Sequence, residues 1–140
     1  MGSTNHWLDP PHHMIDCSPI GSVETPFESL AEAPRQGHLT DAVGVIELEP
    51  RYEPGLSGMS SGHTVDVLWF AHVADREVLQ VDRDGPRGVF TTRSQDRPNP
   101  ICVTRCTVLA VDGPRIRVEG VDMLDGSPVI DLKAPLDVGP

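Results

Sequence analysis

Two polar stretches set between apolar runs hold the residues that could do chemistry. Arg93-Ser94-Gln95-Asp96-Arg97-Pro98-Asn99-Pro100 offers guanidiniums, carboxamides and a carboxylate close together. Its two prolines fix φ, remove two backbone donors and push Arg97 and Asn99 toward extended geometry, so this is a stiff loop and not a helix. Asp122-Met123-Leu124-Asp125-Gly126-Ser127-Pro128 is the second polar turn. A guanidinium is a planar fork of donors matched to a carboxylate, which suits Arg93 to an anionic ligand group. Asp122 or Asp125 can pair with hydroxyls or an ammonium, and Gly126 lets backbone approach a ligand. The alternative is that Arg93, Asp96 and Arg97 form a surface ion-pair cluster, and the residues alone leave both open.

Other chemistries lack their signatures. No GxGxxG, P-loop, GxSxG or HExxH occurs, which removes the dinucleotide, phosphate-cradle, serine-hydrolase and zincin patterns. His6, His12 and His13 have no matching ligand spacing, and Asp66 and His72 on one extended strand stand about 20 Å apart. No metal is expected. Cys102 and Cys106, about 13 Å apart along a strand, can share neither a disulfide nor a zinc ion; Cys106 reads as a small buried hydrophobe, and Cys102 either as the same or as a side chain that narrows a pocket or touches substrate. No triad emerges, so no catalytic residue is assigned.

The elements that must position these loops are strands. Alternating or apolar runs at 20–23, 43–48, 65–71, 101–111, 115–119 and 129–132 predict them, with 65–71 apolar enough to be buried on both faces. Residues 88–92 read as a further short β-like run, and residues 50–62 as turns with one helical turn. Fourteen prolines and thirteen glycines favour short elements joined by turns. Residues 1–16, without periodicity, read as a flexible tail, and 17–140 as one domain. No stretch reaches the ~18 apolar residues of a membrane span, and no signal peptide is visible; three cysteines make no disulfide framework. A cytoplasmic protein is the expectation.

The net charge of −10 argues against a general nucleic-acid binder. Yet between Arg83 and Arg117 seven basic residues face three acidic ones, while the rest of the chain carries −14. That local excess suits an anionic small substrate or one short segment of RNA, with Arg115 and Arg117 on an exposed hairpin arm expected to serve RNA alone.

RSQDRPNPI, followed by GVDMLDGSPVIDLK and preceded by PFESLAEAPRQG, resembles the TsaA-like family, which includes the TrmO-type tRNA methyltransferases. The resemblance covers roughly residues 19–137. It implies a mainly β fold, a small antiparallel β-barrel with short helical turns, that binds S-adenosylmethionine as a homodimer with the cofactor near the interface. The positions matching the family's cofactor contacts are Pro34, Arg35, Gln36, His72, Arg93, Val103, Leu124, Asp125, Gly126 and Ser127. Substrate positions are Arg97, Asn99, Cys102, Asp122 and Lys133. The family usually has glycine where Cys102 stands, and a Pro-Tyr after the lysine where this chain has Ala134-Pro135. The chain also ends at Pro140, short of the extra C-terminal domain of longer relatives.

Three functions compete: N6 methylation of threonylcarbamoyladenosine in tRNA, the same chemistry on a small-molecule metabolite, and a non-catalytic ligand-binding barrel. Methyl transfer from a sulfonium needs alignment and exclusion of water more than a strong nucleophile from the chain. That fits polar loops without a triad.

Overall fold

Strict alternation of apolar and polar residues gives each strand one face that must leave water. In a computed structural model, residues 14–29, 31–33 and 41–136 are described. The strands are β1 (Gly21–Glu24), β2 (Val43–Leu48), β3 (Thr64–Phe70), β4 (Gln80–Asp82), β5 (Pro86–Gly88), β6 (Ile101–Asp112), β7 (Arg115–Glu119) and β8 (Ser127–Lys133). Six of them close into an antiparallel barrel in the order β1-β2-β7-β6-β3-β8, the ring sealed by β1 pairing with β8. The mainly β barrel implied by the sequence is the fold found. A 3-10 segment, Pro50–Leu56, supplies the helical turn and buries Leu56.

Inward residues from all six strands fill the barrel. Val23, Ile46, Val67, Val108, Ile116 and Val129 are each 0 % exposed, and each such side chain contributes about 1.5–3 kcal/mol relative to exposure. Closure requires a close approach between β1 and β2: a Cβ on Gly21 would lie 2.1 Å from the Glu47 carbonyl oxygen, so only glycine fits.

Two expectations need correction. β3 is sealed on one face only: Val65, Val67 and Trp69 are buried, whereas Asp66, Leu68 and Phe70 are half-buried on the outside. Its apolar composition hides an ordinary barrel alternation. The β-like run at 88–92 ends at Gly88; Val89–Thr91 is a 3-10 turn. β5 pairs instead with β4 in a two-stranded ribbon outside the barrel, turning at Asp84 (φ 59°) and Gly85 (φ 107°).

Candidate functional site

Neighbouring strands run in opposite directions, so the connections 25–42, 71–100 and 120–126 all leave the same end of the barrel. These connections and the strand ends beside them carry all the site candidates except Lys133. Pro34, Arg35 and Gln36 belong to the first connection and lie outside the described residues.

The 120–126 connection closes this end. Val121 and Met123, both 0 % exposed, join the core from above. β2 leaves room for Val121 by having Gly44, whose Cβ would meet a Val121 methyl at 2.8 Å. Asp122, between these plugs, is 7 % exposed. Its Oδ1 accepts a 2.5 Å bond from Thr104 Oγ1, and Thr104 Oγ1 accepts from Trp69 Nε1 at 2.9 Å. The turn is then tied to the first connection: Thr25 N donates to Asp125 Oδ1 (3.0 Å), Thr25 Oγ1 to the Met123 carbonyl (2.7 Å), and Asp125 N to the Phe27 carbonyl (2.7 Å). Gly126 has φ 82°, a left-handed value that glycine adopts without strain. The Ser127 hydroxyl, buried, donates to the Leu124 carbonyl at 2.7 Å, which holds the turn and does not face solvent.

Arg97 organises the long 71–100 connection. Its Nε donates to the Ser94 carbonyl (2.7 Å), and one terminal nitrogen to the carbonyls of Val89 (2.5 Å) and Thr92 (2.6 Å). Asp96 accepts from Asp75 N at 2.9 Å. Arg76, which sequence reasoning missed, donates to the Pro98 carbonyl (2.7 Å) and to Asn99 Oδ1 (3.2 Å), with its guanidinium 5.9 Å from the Phe70 ring. Nothing in the sequence around Arg76 marks it, because its hydrogen-bond partners lie more than twenty residues away. The possible ion-pair cluster of Arg93, Asp96 and Arg97 does not form. Arg93 and His72 are exposed and have no hydrogen bond or ion pair among the described residues.

Other candidates sit elsewhere on the wall. Val103, 44 % exposed, points out of the barrel beside its pair partner Leu68, on the opposite face of β6 from buried Thr104. Lys133 is not brought to this end. It lies six residues along β8 from Ser127, about 20 Å in an extended strand, and its Nζ is 3.7 Å from Asp131 Oδ2. Cys102 is half-buried near the rim; burial first, then the Asp122 charge, raise its thiol to about 11 against an opposing pull from Arg97. Burial and then Asp122 and Asp66 raise Cys106 to about 12. Both are neutral thiols near pH 7, unsuited to nucleophilic attack. A solvent-open concavity of about 350 Å³ lies on the β4–β5 ribbon, lined by Gln80, Val81, Asp82, Gly85 and Pro86, none of them a site candidate.

Known proteins share this fold and much of this sequence. Residues 22–137 match the family model described as the tRNA-methyltransferase O N-terminal domain. The chain belongs to the TrmO/TsaA-like family of S-adenosylmethionine-dependent methyltransferases. A probable S-adenosyl-L-methionine-binding protein of Halobacterium salinarum is 50% identical over 122 residues, covering 86% of this chain and 98% of that protein. An S-adenosyl-L-methionine-binding protein of Archaeoglobus fulgidus is 44% identical over 118 residues, covering 82% and 85%. The crystal structure of TrmO from Pseudomonas aeruginosa matches with a TM-score of 0.75 at 31% identity, over 89% of this chain and 57% of that one. This chain therefore spans a little over half the length of that TrmO.

The donor set at the barrel end fits the cofactor of the TrmO/TsaA-like family. The Arg93 guanidinium, unpaired among the described residues, matches a carboxylate, exposed Asp125 matches an ammonium or ribose hydroxyls, and a Cβ at Gly126 would meet none of the described residues within 4 Å.

Proposed function

We propose that this chain is a cytoplasmic S-adenosylmethionine-dependent methyltransferase that methylates N6 of threonylcarbamoyladenosine in tRNA as a homodimer. The observation that carries the reading is the convergence of three motif-bearing connections on one barrel end, with Arg93 exposed there and unpaired among the described residues. When bound, S-adenosylmethionine supplies an electrophilic methyl on a sulfonium. The chain binds, aligns and excludes water. Arg93 takes the cofactor carboxylate, Asp125 its amino group or ribose, and Arg97 and Arg76 keep the 71–100 connection rigid so that Arg93 and Asn99 stay placed. Pro34, Arg35 and Gln36 complete the cofactor site from the first connection.

The homodimer draws support from an apolar strip on the outer wall, where Leu68 pairs with Val103 and Phe70 with Ile101. Ile101 is 45 % and Val103 44 % exposed. A second copy lying on this strip would cover both and bring Val103 near a partner's site.

A small-molecule acceptor is the second reading, favoured by the fate of the arginines. Arg105 is bound to Asp66 (2.9 Å), and Arg115 to Glu47 (3.0 Å) and Glu24 (4.0 Å), while Arg97 is spent on backbone carbonyls. The local cationic excess is thus smaller in space than in sequence, and a cysteine at 102, where the family resemblance leads one to expect glycine, places a side chain that could alter the acceptor. The deciding experiment is methyl transfer to purified tRNA carrying the threonylcarbamoyl modification at saturating cofactor and low salt. Methylated nucleoside is the expected result; none would move the assignment to a metabolite.

A further inference from the structure

Phe90 contributes little to packing among the described residues. It is 79 % exposed, whereas its neighbour Val89 is fully buried, so a large apolar ring is held in water where a polar side chain would fit. One exposed apolar residue is ordinary by itself. Here, however, the backbone that carries the ring is fixed on both sides. Val89 N donates to the Leu79 carbonyl at 2.9 Å and Thr91 Oγ1 to the Gly88 carbonyl at 2.7 Å, while Arg97 donates to the carbonyls of Val89 and Thr92. An aromatic side chain with two torsions on a fixed backbone loses little freedom when it makes a contact. Arg87 and Arg93 stand three residues to either side, so their Cα atoms lie within about 11 Å of that of Phe90. Both are exposed and without a hydrogen bond or ion pair among the described residues. The carboxylates of the ribbon lie at its turn, where Asp82 Oδ1 accepts from Gly85 N at 3.0 Å.

We propose that Phe90 is a stacking platform for one unpaired base of an RNA acceptor, with Arg87 taking an adjacent phosphate while Arg93 holds the cofactor. The inference rests on the tRNA reading above and names a contact of that same acceptor. Every base offers a π face, but in a duplex both faces are covered by neighbouring bases, so an exposed ring selects single-stranded RNA without selecting one base over another. Stacking also answers the charge problem. A chain of net charge −10 repels a polyanion over most of its surface, and a stacked base supplies attraction that needs no further cation. Because Arg93 is at most about 11 Å from Phe90 along the backbone, the stacked base lies close to the one that receives the methyl group. Arg97 is a positioning residue here, since its bonds to Val89 and Thr92 hold the turn that carries the ring.

Fluorescence anisotropy of the full chain at low salt tests this with two labelled RNAs, a hairpin with an open single-stranded loop and a blunt duplex of the same length. The wild type should bind the hairpin about fivefold or more tighter than the duplex. Phe90→Leu keeps an apolar side chain but loses the ring face; it should weaken hairpin binding about fivefold or more and leave duplex binding unchanged, while Phe90→Trp keeps the preference. Arg87→Ala should weaken both RNAs and reduce the salt slope by about one, and an unchanged slope removes Arg87 from the contact. Arg51→Ala, on the connection between β2 and β3 at the opposite end of the barrel, is the control and should leave both affinities unchanged. Wild-type hairpin affinity in Phe90→Leu, or equal weakening of hairpin and duplex, overturns the platform. So does Phe90→Leu that turns a dimer into a monomer or loses S-adenosylmethionine affinity, which would assign the ring to the subunit contact or to the cofactor. If the wild type methylates tRNA while Phe90→Leu binds the hairpin normally, the methyltransferase reading stands and only the platform falls. Wild type that binds neither RNA removes RNA as the acceptor, and the platform with it.

Discussion

Replacing Arg97 separates a group that builds the site from one that touches substrate. Its guanidinium donates three bonds to the carbonyls of Val89, Thr92 and Ser94, stitching the 3-10 turn at Val89–Thr91 to the proline loop. Charge-assisted hydrogen bonds contribute about 1.5–3 kcal/mol each, but this side chain is half-buried and the released carbonyls regain water in Arg97→Ala. We therefore expect about 3 kcal/mol in total, not three full bonds. For a domain of this size that lowers the thermal midpoint by roughly 10 °C. Arg97→Lys should recover little of it, because an ammonium on a single stem cannot reproduce the fork. Urea denaturation gives the stability, and cofactor titration of the same samples reports on Arg93 downstream. Arg97→Ala with stability within about 0.5 kcal/mol of wild type but no methyl transfer would refute the argument and make Arg97 a substrate contact.

Arg93→Ala should weaken S-adenosylmethionine binding by about 2 kcal/mol or more, the scale of a lost charge-assisted contact; affinity equal to that of the Arg51→Ala control would return Arg93 to the surface. At pH 8, iodoacetamide should label exposed Cys17 well before Cys102 and Cys106, and mass spectrometry showing equal labelling would contradict their raised values. The same thiols contribute stability that is fully present below their ordinary value of 9.0 and is lost as pH rises through about 11 and about 12, because there the unfolded chain has already released those protons; a denaturation midpoint rising between pH 9 and 11 would oppose this. Val103→Lys, placed on the outer apolar strip, should convert a dimer to a monomer by light scattering, and a dimer that survives it would move the interface off that wall.

The barrel strands were legible because their alternation is local. β2 and β7 fall at the residues read from pattern alone, and the other barrel strands differ by one or two residues at one or both ends. What alternation cannot show is partnership across the chain. The β4–β5 ribbon went unseen because three-residue strands carry too little pattern, and Pro86 counts against a strand unless it sits at an edge. β3 looked doubly buried because Leu68 and Phe70 face outward yet are apolar, a choice that sequence cannot distinguish from a core strand. At the site, motif order located the loops but not the work of each side chain. Arg97, read as a substrate position, also staples its own loop through three backbone carbonyls, and the buried hydroxyl of Ser127 bonds the carbonyl of Leu124 in its own turn, neither of which the motif reveals.

The same limit governs the charge pattern, and it bears on the acceptor. Counting along the chain makes 83–117 a basic segment, but the fold distributes it over separate surfaces: the ribbon holds Arg83 and Arg87, the loop Arg93, and two outer walls Arg105 and Arg115, each beside a carboxylate from a neighbouring strand. Antiparallel pairing places Asp66 opposite Arg105 and Glu47 opposite Arg115, so those two charges are largely neutralised by partners far away in sequence. An exposed arginine so engaged gains little from a phosphate, since the new contact must displace an existing one while the carboxylate repels the incoming anion. Arg115 thus offers a phosphate less unshared charge than its exposed position suggests, while Arg117 on that hairpin face stays unpaired among the described residues. The 71–100 connection, which includes the ribbon, also offers a polyanion arginines of this kind, because Arg87 and Arg93 lack such partners among the described residues. The 71–100 connection leaves the barrel end where the motif loops meet, so on the reading proposed above Arg87 and Arg93 are the arginines placed to guide an anionic acceptor toward the site.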